Sequence, residues 1–417
     1  METNPIEATV EKLVYGGQGL ARLEGRVALV PFVLPEERIR LKVEAERRGV
    51  TEARLLEVLA PAAGRTEPPC PLFQRCGGCH YQHAQYEVQI ALKRQILREV
   101  LARIGKLEAP AQIGAIAGEP WGYRNRTQLH LAGGEIGFFG FGSHHLAPVD
   151  RCPISSPRIN EALAALRPMK GERRFPGFIT SLELFTNESE VQVNVLESGR
   201  PVSRRFFDWC AEKIPGYAAD AIEYPVGAGA YRVHHKSFFQ VNRFLIEPLI
   251  AAALEGAEGE TALDLYSGVG LFSIALARRF RGVTAVETSA SAVRDLEFNA
   301  ERAGVEVGVR REPVEAFLEA AEKAPDFVLA DPPRAGLGKH AVRHLLRLKP
   351  RLVTIVACDP ATLARDLAAL VAGGYALEQL TLVDLFPQTF HIETVARLQL
   401  EPQEARDLAQ LNEHDCC

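Results

Sequence analysis

From about residue 236 onward, short apolar runs alternate with helical segments, and nearly every run delivers a polar residue at its carboxyl end. Thr261 to Tyr266 leads into Ser267-Gly268-Val269-Gly270, Gly282 to Val286 into Glu287, Asp326 to Ala330 into Asp331-Pro332-Pro333-Arg334, and Leu352 to Ala357 into Cys358. Such alternation predicts a parallel sheet with helical crossovers to the end of the chain. Open α/β sheets bind ligands at the carboxyl edge of their strands, so these residues are expected to face one crevice. Glu393 stands just before the last apolar strand, Val395 to Leu400, and is expected to join them.

The first of these turns has the form Asp264-x-x-x-Gly268-x-Gly270, and the next strand ends in an acid, Glu287. Glycines here let a ligand approach the backbone, and an acid at the end of the second strand suits ribose hydroxyls. A dinucleotide fingerprint would want a third glycine, so the turn fits S-adenosylmethionine better than NAD. At Asp331 two prolines stop any helix and hold the acid at the sheet edge.

Cys358 closes a buried strand and runs straight into a helix start, with Asp359 as N-cap and Pro360 at the first helical position. A helix N-terminus favours negative charge, so this thiol is expected to ionise more readily than a free cysteine, and so to serve as a nucleophile. The bland alternative is a small hydrophobe at a strand end.

At 417 residues the chain calls for two or three domains. Residues 1–62 hold short glycine-punctuated strands and suggest a small OB-like β-barrel. Residues 63–235 read as a β-rich middle domain, whose helix of about residues 85–106 is expected to pack on the next domain, and 236–417 as the catalytic one. Cys70, Cys76 and Cys79 form a C-x5-C-x2-C run, with Cys152 in Asp150-Arg-Cys-Pro. In a chain without a signal peptide or a membrane-length apolar stretch, expected to be cytoplasmic, cysteines so spaced suggest a metal site, zinc or iron and sulfur, over disulfides. Cys416 and Cys417 end an acidic tail expected to be disordered.

The net charge of −5 argues against binding nucleic acid by bulk charge, so local patches would have to do it. Lys93, Arg94, Arg98, Arg103 and Lys106 decorate one amphipathic helix that stops at Gly105, a candidate phosphate-contacting face. Tyr123-Arg124-Asn125-Arg126 is another, and Phe138, Phe139 and Phe141 could stack on splayed bases or pack in a core.

Five segments, Phe238-Phe-Gln240-Val-Asn242, Asp264 to Gly270, Asp331 to Arg334, Cys358 to Leu363 and His391-Ile-Glu393, occur in an order and spacing that resembles the RNA 5-methyluridine methyltransferases. The resemblance covers essentially the whole chain. It implies a Rossmann-like S-adenosylmethionine-dependent catalytic domain, a TRAM domain at the amino terminus, and a [4Fe-4S] cluster on Cys70, Cys76, Cys79 and Cys152. It further implies Cys358 as the nucleophile at carbon 6 of uracil and Glu393 as general base. Gln240, Tyr266, Gly268, Glu287 and Asp331 would hold the cofactor and Arg334 would flank the reacting base, while Arg124 and Arg126 are expected, from their own basic stretch, to contact the RNA. Ser267 and Asp359 replace a frequent cysteine and asparagine, and Leu271 stands where some members carry a cofactor-contacting asparagine.

The expected product is 5-methyluridine in 23S ribosomal RNA, made by a monomer. The alternatives are the transfer RNA T-loop, a cytosine-5 methyltransferase, which also uses a thiol, and a non-catalytic RNA-binding module.

Overall fold

The computed structural model describes residues 4–402, so Cys416 and Cys417 lie outside the described residues. Five strands, β1 (Ile6–Val14), β2 (Gln18–Leu23), β3 (Arg26–Pro31), β4 (Arg38–Arg47) and β5 (Val50–Ala60), close into a barrel in the order β1-β2-β3-β5-β4. Alternate residues of these strands, Val10, Val30, Ile39, Leu41 and Ala53 among them, point inward and fill it. A helix, Tyr86–Val100, follows the cysteine run and widens into a π-helical turn, Leu101–Gly105. After it comes β6 (Gly114–Ile116).

The central region is an antiparallel sheet of β7 (Arg126–Ala132), β8 (Glu135–Phe139), β9 (Leu146–Pro148), β10 (Ile179–Thr186) and β11 (Val191–Ser198), ordered β11-β10-β7-β8-β9. The helices Pro157–Gly171 and Arg204–Lys213 cover one face and bury Leu163, Leu166, Phe206 and Trp209 against it. A hairpin of β12 (Ala221–Val226) and β13 (Gly229–His234) leads on.

The largest sheet contains β14 (Thr261–Leu265), β15 (Gly282–Val286), β16 (Gly308–Arg310), β17 (Phe327–Ala330), β18 (Leu352–Ala357), β19 (Tyr375–Val383) and β20 (Glu393–Leu400). Its order is β16-β15-β14-β17-β18-β20-β19-β6. The strands from β14 to β18 pair in parallel, and β17 and β18 are buried at every residue, as expected of strands covered by helices on both faces.

The expectation of a parallel sheet to the end of the chain is corrected here. β20 runs antiparallel to both β18 and β19, with Ala357 opposite Thr394 and Val383 opposite Glu393. The reversal matters for chemistry. A parallel last strand would begin at the far edge of the sheet, whereas the antiparallel one begins beside the end of β18 and brings Glu393 to Cys358. The sheet is also not confined to residues after 236, because β6 forms its edge by pairing in parallel with β19.

The helix Tyr86–Val100 leans on this sheet as well. Leu97 and Leu101 share a core with Leu363 and Leu367, and Gly105 sits so near Ala364 that a Cβ there would stand 2.8 Å from its carbonyl oxygen.

Candidate active site

The carboxyl ends of β14, β15, β17 and β18 open on a cavity of about 600 Å³. Its walls include Phe238, Gln240, Tyr266, Gly268, Glu287, Asp331, Arg334, Cys358, His391 and Glu393. The strand-end residues expected to converge are therefore in one crevice. Phe238, 60% exposed, stands at its mouth.

At the glycine turn Tyr266 holds φ +61 and Gly270 φ +88; a Cβ on Gly270 would come within 3.0 Å of Leu296. The Glu287 carboxylate accepts from the backbone N–H groups of Gly268 at 3.0 Å and of Thr288 and Ser289 at 2.7 Å each. Three donors fix this acid before any ligand arrives. Asp264, fully buried beneath the turn, takes the Ser273 hydroxyl, and burial raises its pKa to about 7. Gln240 donates to Asp331 at 3.2 Å and links the Phe238–Asn242 segment to β17. Burial raises Asp331 to about 7 despite that bond.

Cys358 is half-buried and its pKa is pushed up to about 11, by burial first and then by the carboxylates of Glu393 and Asp331, with Arg334 pulling the other way. The expectation of a more acidic thiol is thus corrected. Asp359 caps the helix Pro360–Ala372 by accepting from Ala361 at 3.0 Å and Thr362 at 2.8 Å, so the helix end is already matched to a negative charge. Glu393 is 6% exposed, and burial together with Asp331 holds its carboxyl well above the usual range. In the resting site burial disfavours the charged form of both the thiol and the acid beside it.

The loop Asp384–His391, between β19 and β20, closes one side of this crevice. Burial lowers the His391 pKa to about 3, with Arg334 adding to the effect, so a neutral imidazole faces the cavity.

The proposed RNA contacts are distributed differently. Arg334 is exposed at the mouth. Arg124 lines the cysteine cavity and donates to the Arg126 carbonyl at 2.9 Å. Arg126 is 9% exposed; it donates to the Ser237 carbonyl at 2.9 Å, lies 3.5 Å from Glu183 and stacks 4.2 Å over the Phe185 ring. It is thereby committed to packing between β10 and the Ser237–Phe238 stretch.

Lys93 does not belong to an exposed basic face. It is 0% exposed, paired with Asp384 at 2.6 Å and bonded to the Phe386 carbonyl at 2.9 Å. The sequence carries the signal: Lys93 lies four residues after Gln89 and four before Leu97, along the buried stripe of the helix. Arg98, Arg103 and Lys106 remain exposed. Phe138 lines the cysteine cavity, Phe141 packs 4.7 Å from Phe32 of the barrel, and Phe139 stacks on His130 at 3.6 Å.

Cys70, Cys76, Cys79 and Cys152 line one cavity of about 240 Å³, and the Gly78 N–H points at the Cys76 sulfur from 3.4 Å. No three of these sulfurs lie within 4.8 Å of one another. A single zinc with bonds of about 2.3 Å would draw its thiolates to roughly 3.8 Å apart, so three of these sulfurs would have to close in to bind one ion. Among the described residues the grouping tight enough for one ion is Asp220, His234 and His235. There His234 is already bonded to Asp220 at 2.7 Å and accepts from the Lys236 N–H at 3.2 Å.

Residues 222–400 match the family model described as tRNA (Uracil-5-)-methyltransferase. The chain is 34% identical to an RNA methyltransferase of Aquifex aeolicus, over 96% of this chain and 100% of that one. It is 32% identical to the 23S rRNA (uracil(1939)-C(5))-methyltransferase RlmD of Halomonas elongata, over 96% and 90%. The fold is similar to the crystal structure of Pyrococcus abyssi tRNA (uracil-54, C5)-methyltransferase in complex with S-adenosyl-L-homocysteine. That likeness has a TM-score of 0.72 and 26% identity, and covers 94% of this chain and 100% of that one. With a nucleoside-type turn, a strand-end thiol and a buried acid gathered at one sheet edge, and with relatives matching from end to end, this chain belongs to the RNA uracil-5-methyltransferase family of S-adenosylmethionine-dependent enzymes.

Proposed function

We propose that the enzyme methylates carbon 5 of a uridine in 23S-type ribosomal RNA, with Cys358 as nucleophile and Glu393 as general base. The observation that carries the mechanism is the antiparallel pairing of β18 with β20, which sets the start of one strand, Glu393, beside the end of the other, Cys358. Carbon 5 of uracil is a poor nucleophile. Once the Cys358 sulfur, its proton released to solvent, bonds to carbon 6, carbon 5 carries the electron pair that attacks the methyl group, and the donor sulfur would leave as a neutral thioether with the pair of its broken bond. The remaining hydrogen on carbon 5 then leaves as a proton to Glu393, the double bond between carbons 5 and 6 re-forms, and the sulfur departs with the pair of its broken bond.

Burial works against both groups, holding the thiol near 11 and raising the Glu393 carboxyl well above its usual range. Bound S-adenosylmethionine supplies the methyl group on a positively charged sulfur, and that charge favours the ionised forms of Cys358, Asp331 and Glu393. Arg334 also favours the thiolate. Gln240, Tyr266, Gly268, Glu287 and Asp331 are assigned to the cofactor by their place on the cavity wall. A non-catalytic binder would have no use for this set.

The ribosomal target is favoured by the higher identity to the Halomonas relative, and transfer RNA by the Pyrococcus structure. A folded uridine is stacked, so it must be extruded to reach the crevice. The barrel, assigned here as a TRAM domain, and the exposed Arg98, Arg103 and Lys106 are the surfaces proposed to hold the surrounding RNA. The cysteine cavity is assigned to a [4Fe-4S] cluster, which would tie residues 70–79 to Cys152; its open sulfur spacing supports that reading. Iron and sulfide analysis of anaerobically prepared protein, with its visible spectrum, tests this assignment.

The decisive experiment incubates the protein with labelled S-adenosylmethionine and, separately, unmodified ribosomal and transfer RNA, and maps 5-methyluridine by mass spectrometry. Label in ribosomal RNA is the expected result. Label confined to transfer RNA keeps the mechanism and overturns the target; methylcytosine overturns the base.

A further inference from the structure

The loop Asp384–His391 decides where β20 begins, and so where Glu393 stands. Four consecutive backbone carbonyls in it are taken by side chains or backbone from elsewhere. Leu385 is held by the Asn242 amide at 3.2 Å, Phe386 by Lys93 Nζ at 2.9 Å, and Pro387 by the Tyr123 hydroxyl at 3.0 Å. Gln388 is held by the N–H groups of His80 and Tyr81, at 2.8 and 3.0 Å. Loops seldom have their carbonyls so fully engaged by distant donors.

At the centre of the loop Gln388 is 2% exposed and holds φ +67, a left-handed conformation that costs a residue with a side chain about 1 kcal/mol. What opposes that cost is Gln89, on the helix Tyr86–Val100 and 0% exposed. Its amide nitrogen donates to the Gln388 side-chain oxygen at 3.0 Å and to the Ala84 carbonyl at 2.9 Å, and its oxygen accepts the Gln388 backbone N–H at 3.0 Å. Both ends of the Gln89 amide are used. A glutamate there would lack the donor and an apolar residue would lack both groups.

We propose that Gln89 is a positioning residue for the methyltransferase reaction: its paired amide locks Gln388 in the left-handed conformation and thereby sets the register in which β20 presents Glu393 to carbon 5 of the uracil. The proposal rests on the reading of Glu393 as general base. Its consequence is specific to one step. Thiol addition and cofactor binding draw mainly on the ends of β14, β15, β17 and β18 and on Gln240, none of which the Gln89 side chain bonds; proton removal and release of the sulfur depend on Glu393.

The test is single-turnover kinetics on whichever of the two RNAs the wild type labels, following both methyl transfer and the protein–RNA covalent adduct on denaturing gels. Gln89→Met keeps the volume and removes both polar groups. Gln388→Gly removes the other half of the pair while suiting the positive φ, and so covers the case in which Gln89→Met fails to fold. In both, adduct breakdown is expected to slow by roughly 10- to 100-fold, with methyl transfer to the adduct and the Kd for S-adenosylmethionine unchanged. Glu393→Gln runs alongside. If it traps adduct while both glutamine-pair variants release product at the wild-type rate, the positioning role is overturned and the base assignment stands. If Glu393→Gln traps none, the base assignment falls and the positioning role with it. Equal losses in methyl transfer, adduct breakdown and cofactor affinity would mean a general packing role and would also overturn the proposal.

Discussion

The Tyr15 hydroxyl, just past the end of the first barrel strand, stands 3.5 Å from the carboxylate of Asp359, the residue after Cys358. A barrel built from residues near the amino terminus therefore reaches the catalytic centre more than three hundred positions later in the chain. At 3.5 Å the bond is at the limit of a hydrogen bond, so Tyr15→Phe should cost less than about 1 kcal/mol of stability. Tyr15→Ala also removes the edge-on contact with Phe390, whose ring lies 5.6 Å away, and should cost about 2–4 kcal/mol. Thermal melts of the two variants separate these contributions.

Cys358→Ala should abolish methyl transfer and leave S-adenosylmethionine binding intact, read by labelled transfer and by calorimetry. A variant that still methylates at near the wild-type rate would sink the covalent mechanism. Glu393→Gln should keep addition and stall elimination, so a covalent protein–RNA band should persist on denaturing gels.

The pKa of about 11 makes the free enzyme's thiol sluggish. Iodoacetamide labelling of Cys358, measured by mass spectrometry against the other cysteines, should rise about tenfold per pH unit between pH 7 and 9 without a plateau. Arg334 lowers that pKa, so Arg334→Ala should slow labelling at every pH in the range.

Asp331 is raised from 3.8 to about 7 in the folded chain. Between those values the unfolded chain gives up a proton that the folded one retains, so the stability this group allows at low pH is lost as pH rises toward 7. Asparagine cannot ionise. Asp331→Asn should therefore raise the melting temperature relative to wild type more at pH 8 than at pH 4.5, even as it impairs methylation. An equal offset at both pH values would refute the shift.

Lys93 and Asp384, both 0% exposed, form a fully buried pair. Removing one partner strands the other, so Lys93→Ala should destabilise by about 3–5 kcal/mol in denaturant unfolding. The double variant Lys93→Met, Asp384→Leu should recover most of that loss, because neither charge is then left alone.

The strand-end residues were legible because each sits next to its own apolar run, and a run's carboxyl end is a local property. Strand direction is not local. The run Val395 to Leu400 reads the same in either sense, and only the pairing with β18 and β19 decides it. Thiol acidity failed for a related reason: the helix start is visible in Asp359-Pro360, but the depth of Cys358 and the nearness of Glu393 and Asp331 are tertiary facts. The Gln89–Gln388 pair spans 299 positions and has no sequence pattern of its own. Lys93 is the instructive case, since its place on the buried stripe could be read, but its charge suggested the surface.

β6 gives this protein an uneven relation between what can be cut out and what can fold. Residues Gly114 to Ile116 supply the outer edge of a sheet whose other strands all lie after residue 260. A fragment starting at residue 236 would bare the backbone N–H and C=O groups of β19, along with the apolar surface that Leu97 and Leu101 now cover. An open edge of that kind invites strand-to-strand aggregation. Domain swaps between relatives should therefore carry residues 85–116 together with the carboxyl-terminal half, treating two distant stretches of chain as one inheritance.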